Sequence, residues 1–203
     1  MSTFFQAGMM PAMLQGVYEG DVTFEKLTQH GDIGLGVMNQ LKGDMIALDG
    51  EFYHVNAEGG VNVMEPNACT PFSIVTKFKP THIFSLENVN NLEELNESLD
   101  AALSTKNIFY FIRIDAELEW LKLQNDQCQM LHHTQQKILE FARVRGSLIA
   151  TRCPEYSAGF TIAGFHYHFI NQERSIGGHV AELKIKKAKV MITPMRRFSV
   201  VSL

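Results

Sequence analysis

The segment GFHYHFI at residues 164–170 decides how the sequence is interpreted. Its aromatic and β-branched residues favour a β-strand, in which successive side chains point to opposite faces. His166 and His168 therefore share one face, and the three aromatic residues of the segment take the other. Two imidazoles on one face of a strand could contribute to a common binding site.

A third histidine, His179, follows on the next predicted strand. The polar run at 171–174 predicts a hairpin loop, and a register that pairs Ile170 with Ser175 places His179 directly across from His166. Residues opposed in this way lie about 5 Å apart at Cβ, so that three imidazoles are close enough to share one ion at about 2.0–2.1 Å per bond.

An isolated histidine on an apolar strand face is most often a core residue that is satisfied by hydrogen bonds. Three of them on one face are different, because three buried bases need either three separate partners or one common cation. His166, His168 and His179 therefore predict a metal site. Only three protein ligands are visible, and an open coordination position is typical of a catalytic zinc site rather than a structural one.

Composition narrows the class of protein. The chain has 203 residues, of which 45% are hydrophobic, so it can bury a core as one large or two small domains. A formal charge of −4 gives no reason to expect nucleic acid or an anionic membrane as a partner. The basic residues at 184–187 alternate with an apolar one, which favours a solvated strand face over a binding patch.

Cysteine usage and the start of the chain indicate the compartment. Cys69, Cys128 and Cys153 are widely spaced, without a CxxC pair, and this pattern predicts reduced thiols. No apolar run approaches the length of a membrane span, and residues 1–5 lack the basic region of a signal peptide. We therefore expect a soluble, cytoplasmic protein.

The pattern of predicted elements defines the fold class. We expect a short helix capped by Thr23, a meander of strands turning at Asp49-Gly50, and a helix at 91–103 with leucines at helical spacing. A strong buried strand follows at 108–114, then a polar, helix-permissive stretch at 124–141 with the surface pair His132-His133. The predicted strands are 34–37, 45–48, 52–55, 61–64, 73–78, 108–114, 146–150 and 159–170.

Such an order predicts an α+β (α/β) protein with two β-rich lobes. Residues 1–115 would form an N-terminal mixed β-sheet lobe with helices, and residues 116–203 a C-terminal β-rich, metal-binding lobe that carries the zinc site on a β-hairpin. The tail at 194–203 has no predicted place.

An ordered set of motifs resembles the α-acetolactate decarboxylase family over about residues 16 to 185. The matching pieces are GVYEGD at 16–21, HGDIGLG at 30–36, LDGEFY at 48–53, TPF at 70–72, FIRID at 111–115, PEY at 154–156, AGFHYHFI at 163–170 and GGHV at 177–180.

The resemblance implies a two-domain protein, usually a dimer whose sheets join, with one zinc ion held by His166, His168 and His179. It also implies an activity: decarboxylation of 2-acetolactate, or a related 2-hydroxy-3-oxo acid, to acetoin through a metal-stabilised enediolate. An enolate-forming decarboxylation needs a Lewis acid, so this chemistry agrees with the histidines.

The chain departs from the family's pattern beside these ligands. Asp44 stands where the family has a glutamate, one methylene longer, and Val37 replaces a threonine. No arginine stands at 123–125, where the family has one, and the sequence stops at Leu203, before the family's C-terminal glutamate. Groups that could act in catalysis are Asp44, Arg113 and Glu155, although Arg113 in its apolar strand could equally be a structural ion-pair partner.

Three hypotheses remain at this point. The first is a zinc-dependent lyase of the acetolactate decarboxylase type. The second is another metal-dependent reaction, such as ester or lactone hydrolysis by zinc-bound hydroxide, since three histidines and an open position suffice to activate water. The third is a non-catalytic homologue that uses the metal for folding or for binding a small acid.

Overall fold

The computed structural model describes residues 2–129 and 133–201, with side chains left out at 126–129 and 133–136. The predicted surface pair His132-His133 lies outside the described residues and side chains. In chain order the strands are β1 (Thr3–Ala7), β2 (Val22–Thr23), β3 (Ile33–Val37), β4 (Asp44–Leu48), β5 (Glu51–Val55), β6 (Val61–Val63), β7 (Cys69–Thr70), β8 (Phe72–Thr76), β9 (His82–Val89), β10 (Phe109–Gln129), β11 (His133–Cys153), β12 (Gly164–Asn171), β13 (Gly177–Met195) and β14 (Arg197–Val201). The α-helices are α1 (Met10–Leu14), α2 (Phe24–Thr28) and α3 (Leu92–Ala102), and short 3-10 helices occupy Asn39–Leu41 and Glu155–Gly159.

Two large sheets contain most of these strands. The first has seven strands in the order β14-β1-β8-β3-β4-β5-β6, with the β14–β1 pair parallel and the others antiparallel. The second runs β10-β11-β12-β13-β9, and a further pairing of β10 with β13 closes it on itself. β2 and β7 form a small separate pair.

The closed second sheet surrounds its own core. Alternate residues of its strands point inward, among them Ile112, Leu148 and Phe169, and all three are fully buried. α3 contributes Leu95 and Leu99 to the same cluster. Burial of each such side chain stabilises the fold by about 1.5–3 kcal/mol.

The opposite faces of these strands turn toward the first sheet. Phe111, Ile149 and Ile170 of the second sheet pack with Ile46 and Leu48 of β4 in a second apolar cluster. The outer face of the first sheet is covered in turn by α2. The residues of β12 that lie between the two sheets are therefore the even-numbered ones, and these include His166 and His168.

Several local predictions are confirmed. Thr23 caps α2, since its side chain accepts a hydrogen bond from the backbone N–H of Lys26 at 3.2 Å. The turn between β4 and β5 is Asp49-Gly50, where both residues have positive φ (57° and 86°), as a two-residue hairpin turn requires. The leucine-spaced segment is α3, with the Asn91 side chain as its N-cap.

The helix-permissive interpretation of residues 124–141 is wrong. The described residues of this stretch, 124–129 and 133–141, continue β10 and β11, which pair with each other over nearly their whole length. Leu139 and Phe141 pack against the core of the second sheet, and Leu123 lies within it. Cross-strand pairing and one apolar face thus override the weak helix propensity of a polar sequence.

The ends of the chain contribute to the first sheet. Residues Arg197–Val201 of the tail, unplaced by sequence, form β14, which lies parallel to β1 from Thr3 to Ala7. The segments 1–115 and 116–203 do not coincide with the two sheets, because β10 runs unbroken through residue 115 and β9 belongs to the second sheet. Within the described residues, every helix is too short or too polar to cross a membrane.

Candidate metal centre

Three imidazoles meet on the side of β12 and β13 that faces the first sheet. The ring centroid of His179 lies 4.9 Å from that of His166 and 5.6 Å from that of His168. The centroids of His166 and His168 are 4.9 Å apart. Each residue can offer one nitrogen such that all three nitrogens lie within 4.8 Å of one another. The predicted convergence of the three histidines is therefore present.

The register that brings them together differs from the predicted one. His168, rather than His166, lies directly across from His179, and Ile170 pairs with Gly177. Asn171 explains the difference, because its side-chain oxygen accepts hydrogen bonds from the backbone N–H groups of the two loop residues before β13 and holds a wider loop. Its partners are Ser175 at 2.8 Å and Ile176 at 2.9 Å.

The shift of two residues keeps the site intact. Strand side chains repeat every two residues, so an even shift leaves every residue on its predicted face, whereas an odd one would turn His179 away. His166 becomes a diagonal neighbour of His179, and their Nε2 and Nδ1 atoms are 3.1 Å apart.

The first sheet supports one of the three rings directly. Nδ1 of His168 lies 3.2 Å from the backbone carbonyl oxygen of Met45 in β4. Since the carbonyl can only accept, Nδ1 carries the proton and Nε2 keeps its lone pair. A histidine fixed in this way is oriented as a metal ligand.

His166 and His168 are held neutral. Burial first, and then the nearby His168 and His179, keep the pKa of His166 well below its usual value. Burial and His179 likewise lower the pKa of His168 to about 3, against the opposing hydrogen bond to the Met45 carbonyl. Neutral imidazoles are the form that binds metal ions.

The donor set fits a divalent ion such as zinc. Two nitrogens bonded to one tetrahedral ion at 2.0–2.1 Å stand about 3.3 Å apart, which is close to the 3.1 Å between His166 Nε2 and His179 Nδ1. The other ring nitrogen of His166 is buried and has no hydrogen-bond partner among the described residues. A common cation bound at the nitrogens that face one another would take the place of the contact between His166 and His179.

Asp44 lies next in the chain to the residue that supports His168. It is the first residue of β4 and precedes Met45, whose carbonyl oxygen contacts His168. Because Ile46 and Leu48 face the layer between the sheets, alternation puts Asp44 on the same face as the histidines. Asp44 also lines a cavity of about 240 Å³. The cavity's other lining residues are Met13, Leu14, Tyr18, Val37, Leu41 and Gly43.

The Arg113 guanidinium is engaged elsewhere. Its Nε donates to Asp115 at 2.8 Å and its Nη1 to Asp49 at 2.6 Å. Asp49 also pairs with Arg174 at 3.4 Å. Of the two roles considered from sequence, the structure shows the ion pair, which ties the Asp49-Gly50 turn to β10.

Glu155 has no hydrogen bond to the histidines among the described residues. It begins the 3-10 helix Glu155–Gly159 and is exposed to solvent. Among the predicted site residues, the structure thus brings together the three histidines, places Asp44 next to their support, and gives Arg113 and Glu155 no hydrogen bond to the cluster within the described part of the chain.

Two contributors were missed by sequence reasoning. The Met45 carbonyl has no sequence signal, because every residue has one. Asn125 is different: its side-chain oxygen accepts a hydrogen bond from the backbone N–H of His179 at 3.2 Å. It follows the buried residues Leu121 and Leu123 at strand spacing, and a polar residue in an apolar row is a recognisable signal.

Comparison with known proteins shows which family shares this sequence and fold. The sequence profile described as alpha-acetolactate decarboxylase matches residues 4–202. The alpha-acetolactate decarboxylase of Methanosarcina mazei is 36% identical over 190 residues, which cover 90% of this chain and 66% of that protein. The protein of the same name from Methylococcus capsulatus is 33% identical, with 96% and 77% covered.

Solved structures agree. The crystal structure of alpha-acetolactate decarboxylase from Bacillus subtilis strain 168 superposes with a TM-score of 0.94 at 28% identity, covering 98% of this chain and 88% of that one. A Staphylococcus aureus protein of unknown function, described as similar to alpha-acetolactate decarboxylase, shares the fold with a TM-score of 0.92 at 24% identity.

The fold is α+β, mostly β-sheet with few helices, and its closed sheet presents three convergent histidines that could hold a metal ion to a second, seven-stranded sheet. The chain belongs to the alpha-acetolactate decarboxylase family.

Proposed function

We propose that this protein is a zinc-dependent carbon–carbon lyase that decarboxylates 2-acetolactate, or a related 2-hydroxy-3-oxo acid, to acetoin or its homologue. The observation that carries the proposal is the cluster of His166, His168 and His179 in a chain of this family, with Asp44 directly before Met45, whose carbonyl contacts His168.

The three histidines would hold the ion, with His168 contributing Nε2 because its Nδ1 is bound to the Met45 carbonyl. The bound ion would supply a Lewis acid that stabilises the negative charge on the substrate oxygens as carbon dioxide departs. The neutral state of His166 and His168 serves this purpose, since protonated rings could not bind the ion.

Asp44 would handle the proton. Loss of carbon dioxide breaks one carbon–carbon bond and leaves its electron pair on the substrate, and the same carbon must then gain a proton to give the product. Asp44 is the carboxyl group that lines the cavity next to the histidine support, and a positioned acid of this kind contributes about 10²–10⁴ in rate.

The cavity walls suit a small substrate. Met13, Val37 and Leu41 give them an apolar character around the single carboxyl group of Asp44.

The test is product formation by defined variants. Zinc-reconstituted protein is supplied with racemic 2-acetolactate, and acetoin is measured for the wild type, for His166→Ala and for His82→Ala, an exposed histidine in β9. We expect acetoin from the wild type and His82→Ala, and none above background from His166→Ala. Metal-loaded wild-type protein that forms no acetoin and no product from longer homologues would refute the proposal.

We also propose a homodimer, as the family resemblance implies. The seven-stranded sheet ends in β14 on one side and β6 on the other, and an edge strand can pair with a second copy. Light scattering tests this directly, because a dimer has twice the 22.9 kDa mass of the chain. A monomer mass across the working concentration range would contradict it.

A further inference from the structure

Asn125 is a buried amide at the junction of three chain segments. It lies on β10 with 2% of its surface exposed. Its Oδ1 accepts a hydrogen bond from the backbone N–H of His179 at 3.2 Å. Its Nδ2 donates to the carbonyl oxygens of Asn56, in the loop after β5, and of Gly177, each at 3.3 Å.

The neighbouring glycine makes this contact possible. Gly178 has φ of 149°, and a Cβ built on it would stand 1.9 Å from Asn125 Oδ1. That separation is far below any contact between real atoms, so the amide and a side chain at position 178 exclude each other. The sequence Gly177-Gly178-His179 therefore leaves room for the Asn125 side chain against the backbone that carries a histidine of the cluster.

The loop after β5, in the first sheet, also contacts the start of β13. The backbone N–H of Gly177 donates to the carbonyl oxygen of Gly59 at 2.9 Å, and Gly60 forms an isolated bridge with Ile176. Asn56 shapes this loop, since its Oδ1 accepts from the N–H of Gly60 at 2.8 Å. Asn125 thus links β10, the start of β13 and the loop after β5.

We propose that Asn125 is a positioning residue for the metal ligand His179: it fixes the backbone at His179 so that the imidazole meets those of His166 and His168. This inference rests on the proposed metal site. β12 pairs with β13 only at residues 177–179, so this short junction has little other support from that neighbour. Without the amide, the orientation of the third ring relative to the other two would be less restricted.

The test measures metal affinity rather than turnover. Asn125→Leu removes the acceptor and the donors while keeping a similar volume. Its control is Gln6→Leu, which removes another buried amide; Gln6 Nε2 donates to the carbonyl oxygens of Gly8 and Phe160, both at 2.8 Å, in the first sheet. Zinc dissociation constants are measured by competition with a chromophoric chelator, and the visible spectrum of the cobalt-loaded protein reports ligand geometry.

We expect Asn125→Leu to bind zinc about 10–100-fold more weakly than the wild type, as is typical when the partner of a metal ligand is lost. The cobalt spectrum should change with it. Gln6→Leu should lose stability but keep the wild-type dissociation constant and spectrum. Asn125→Asp keeps an oxygen toward the His179 N–H and should retain more zinc affinity than Asn125→Leu. It replaces the leucine variant in the comparison with the wild type if that variant does not fold.

The outcomes separate the two proposals. Wild-type protein that does not bind zinc, or that binds it equally well after His166→Ala, refutes the metal site itself. Wild-type protein that loses zinc after His166→Ala, but whose affinity and spectrum are unchanged in Asn125→Leu, overturns the role of Asn125 alone. Equal losses in Asn125→Leu and Gln6→Leu, or in Asn125→Leu and Asn125→Asp, also overturn it.

Discussion

Nδ1 of His168 lies 3.2 Å from the carbonyl oxygen of Met45, so a ring on one sheet is oriented by the backbone of the other. The contact crosses the apolar layer between the sheets, where His168 is only 1% exposed. A backbone carbonyl in a sheet ladder cannot move independently, and it therefore fixes both the tautomer and the tilt of the ring.

Two substitutions of His168 distinguish its hydrogen bond to Met45 from its role as a metal ligand. In His168→Asn the amide nitrogen stands near the place of Nδ1 and keeps a donor for Met45, but the ligand atom is lost. In His168→Gln a polar atom stands near the place of Nε2, but the donor to Met45 is lost. We expect His168→Asn to retain the stability of the metal-free protein more fully, with zinc affinity reduced by more than the roughly 100-fold typical of an indirect partner.

Urea unfolding of metal-free protein and chelator competition measure these two quantities, with His82→Asn as the exposed control. Zinc affinity in His168→Asn equal to that of the wild type would show that this ring is not a ligand.

Asp44 should affect turnover rather than metal binding. Asp44→Asn keeps the size of the side chain but removes its acid, and we expect kcat to fall by about 10²–10⁴ while the zinc dissociation constant changes little. Asp44→Glu keeps the acid one methylene further out and should retain part of the activity. Steady-state acetoin formation gives kcat, and an Asp44→Asn variant with wild-type kcat would remove Asp44 from the mechanism.

Asn171 should control both stability and the site. Asn171→Ala leaves the N–H groups of Ser175 and Ile176 without their acceptor and relaxes the loop that sets the β12–β13 register. We expect the free energy of unfolding to fall by about 1–3 kcal/mol and zinc binding to weaken in parallel. Asn62→Ala in β6, an exposed position, is the comparison in both denaturant and chelator titrations; equal behaviour of the two variants would contradict the role of the loop.

Acid stability should depend on Asp100. Burial by itself would raise the pKa of this carboxyl, but hydrogen bonds from Lys106 at 2.7 Å and Arg152 at 3.1 Å outweigh it and lower the pKa below its ordinary value. The unfolded chain then binds the proton more readily than the folded one. The contribution to stability is fully present above the unfolded pKa, about 3.9, and is lost as the pH falls through the folded pKa.

We therefore expect Asp100→Asn to be less stable than the wild type at pH 7 by about 1–3 kcal/mol, because Arg152 is left buried without its carboxylate. The difference should shrink as the pH falls below about 4. Urea unfolding of metal-free protein at a series of pH values measures it. A difference that is constant with pH would mean that the ion pair does not contribute.

Part of the site follows from local rules and could be predicted from the sequence. Strand periodicity alone puts His166 and His168 on one face, and it puts His179 with them in any register of even shift. The Asp49-Gly50 turn and the Thr23 cap follow from residue chemistry in the same way. Each of these depends on a few adjacent residues.

The remaining features depend on contacts between distant residues. The register of β12 with β13 is set by the side chain of Asn171, which no loop-length rule includes. The length of β10 and β11 depends on their mutual pairing, and the place of β14 on its pairing with β1, at the other end of the chain. Arg113 could be assigned to an ion pair only once Asp49 was seen beside it.

We propose that one metal ion held by His166, His168 and His179 makes the decarboxylation possible. The most direct test is a titration of zinc into metal-free protein, with the initial rate of acetoin formation from 2-acetolactate measured at each addition. We expect a rate that rises linearly and stops rising at one ion per chain, with no rise in His166→Ala. A rate that is already maximal without metal, or that rises equally in His166→Ala, would contradict it.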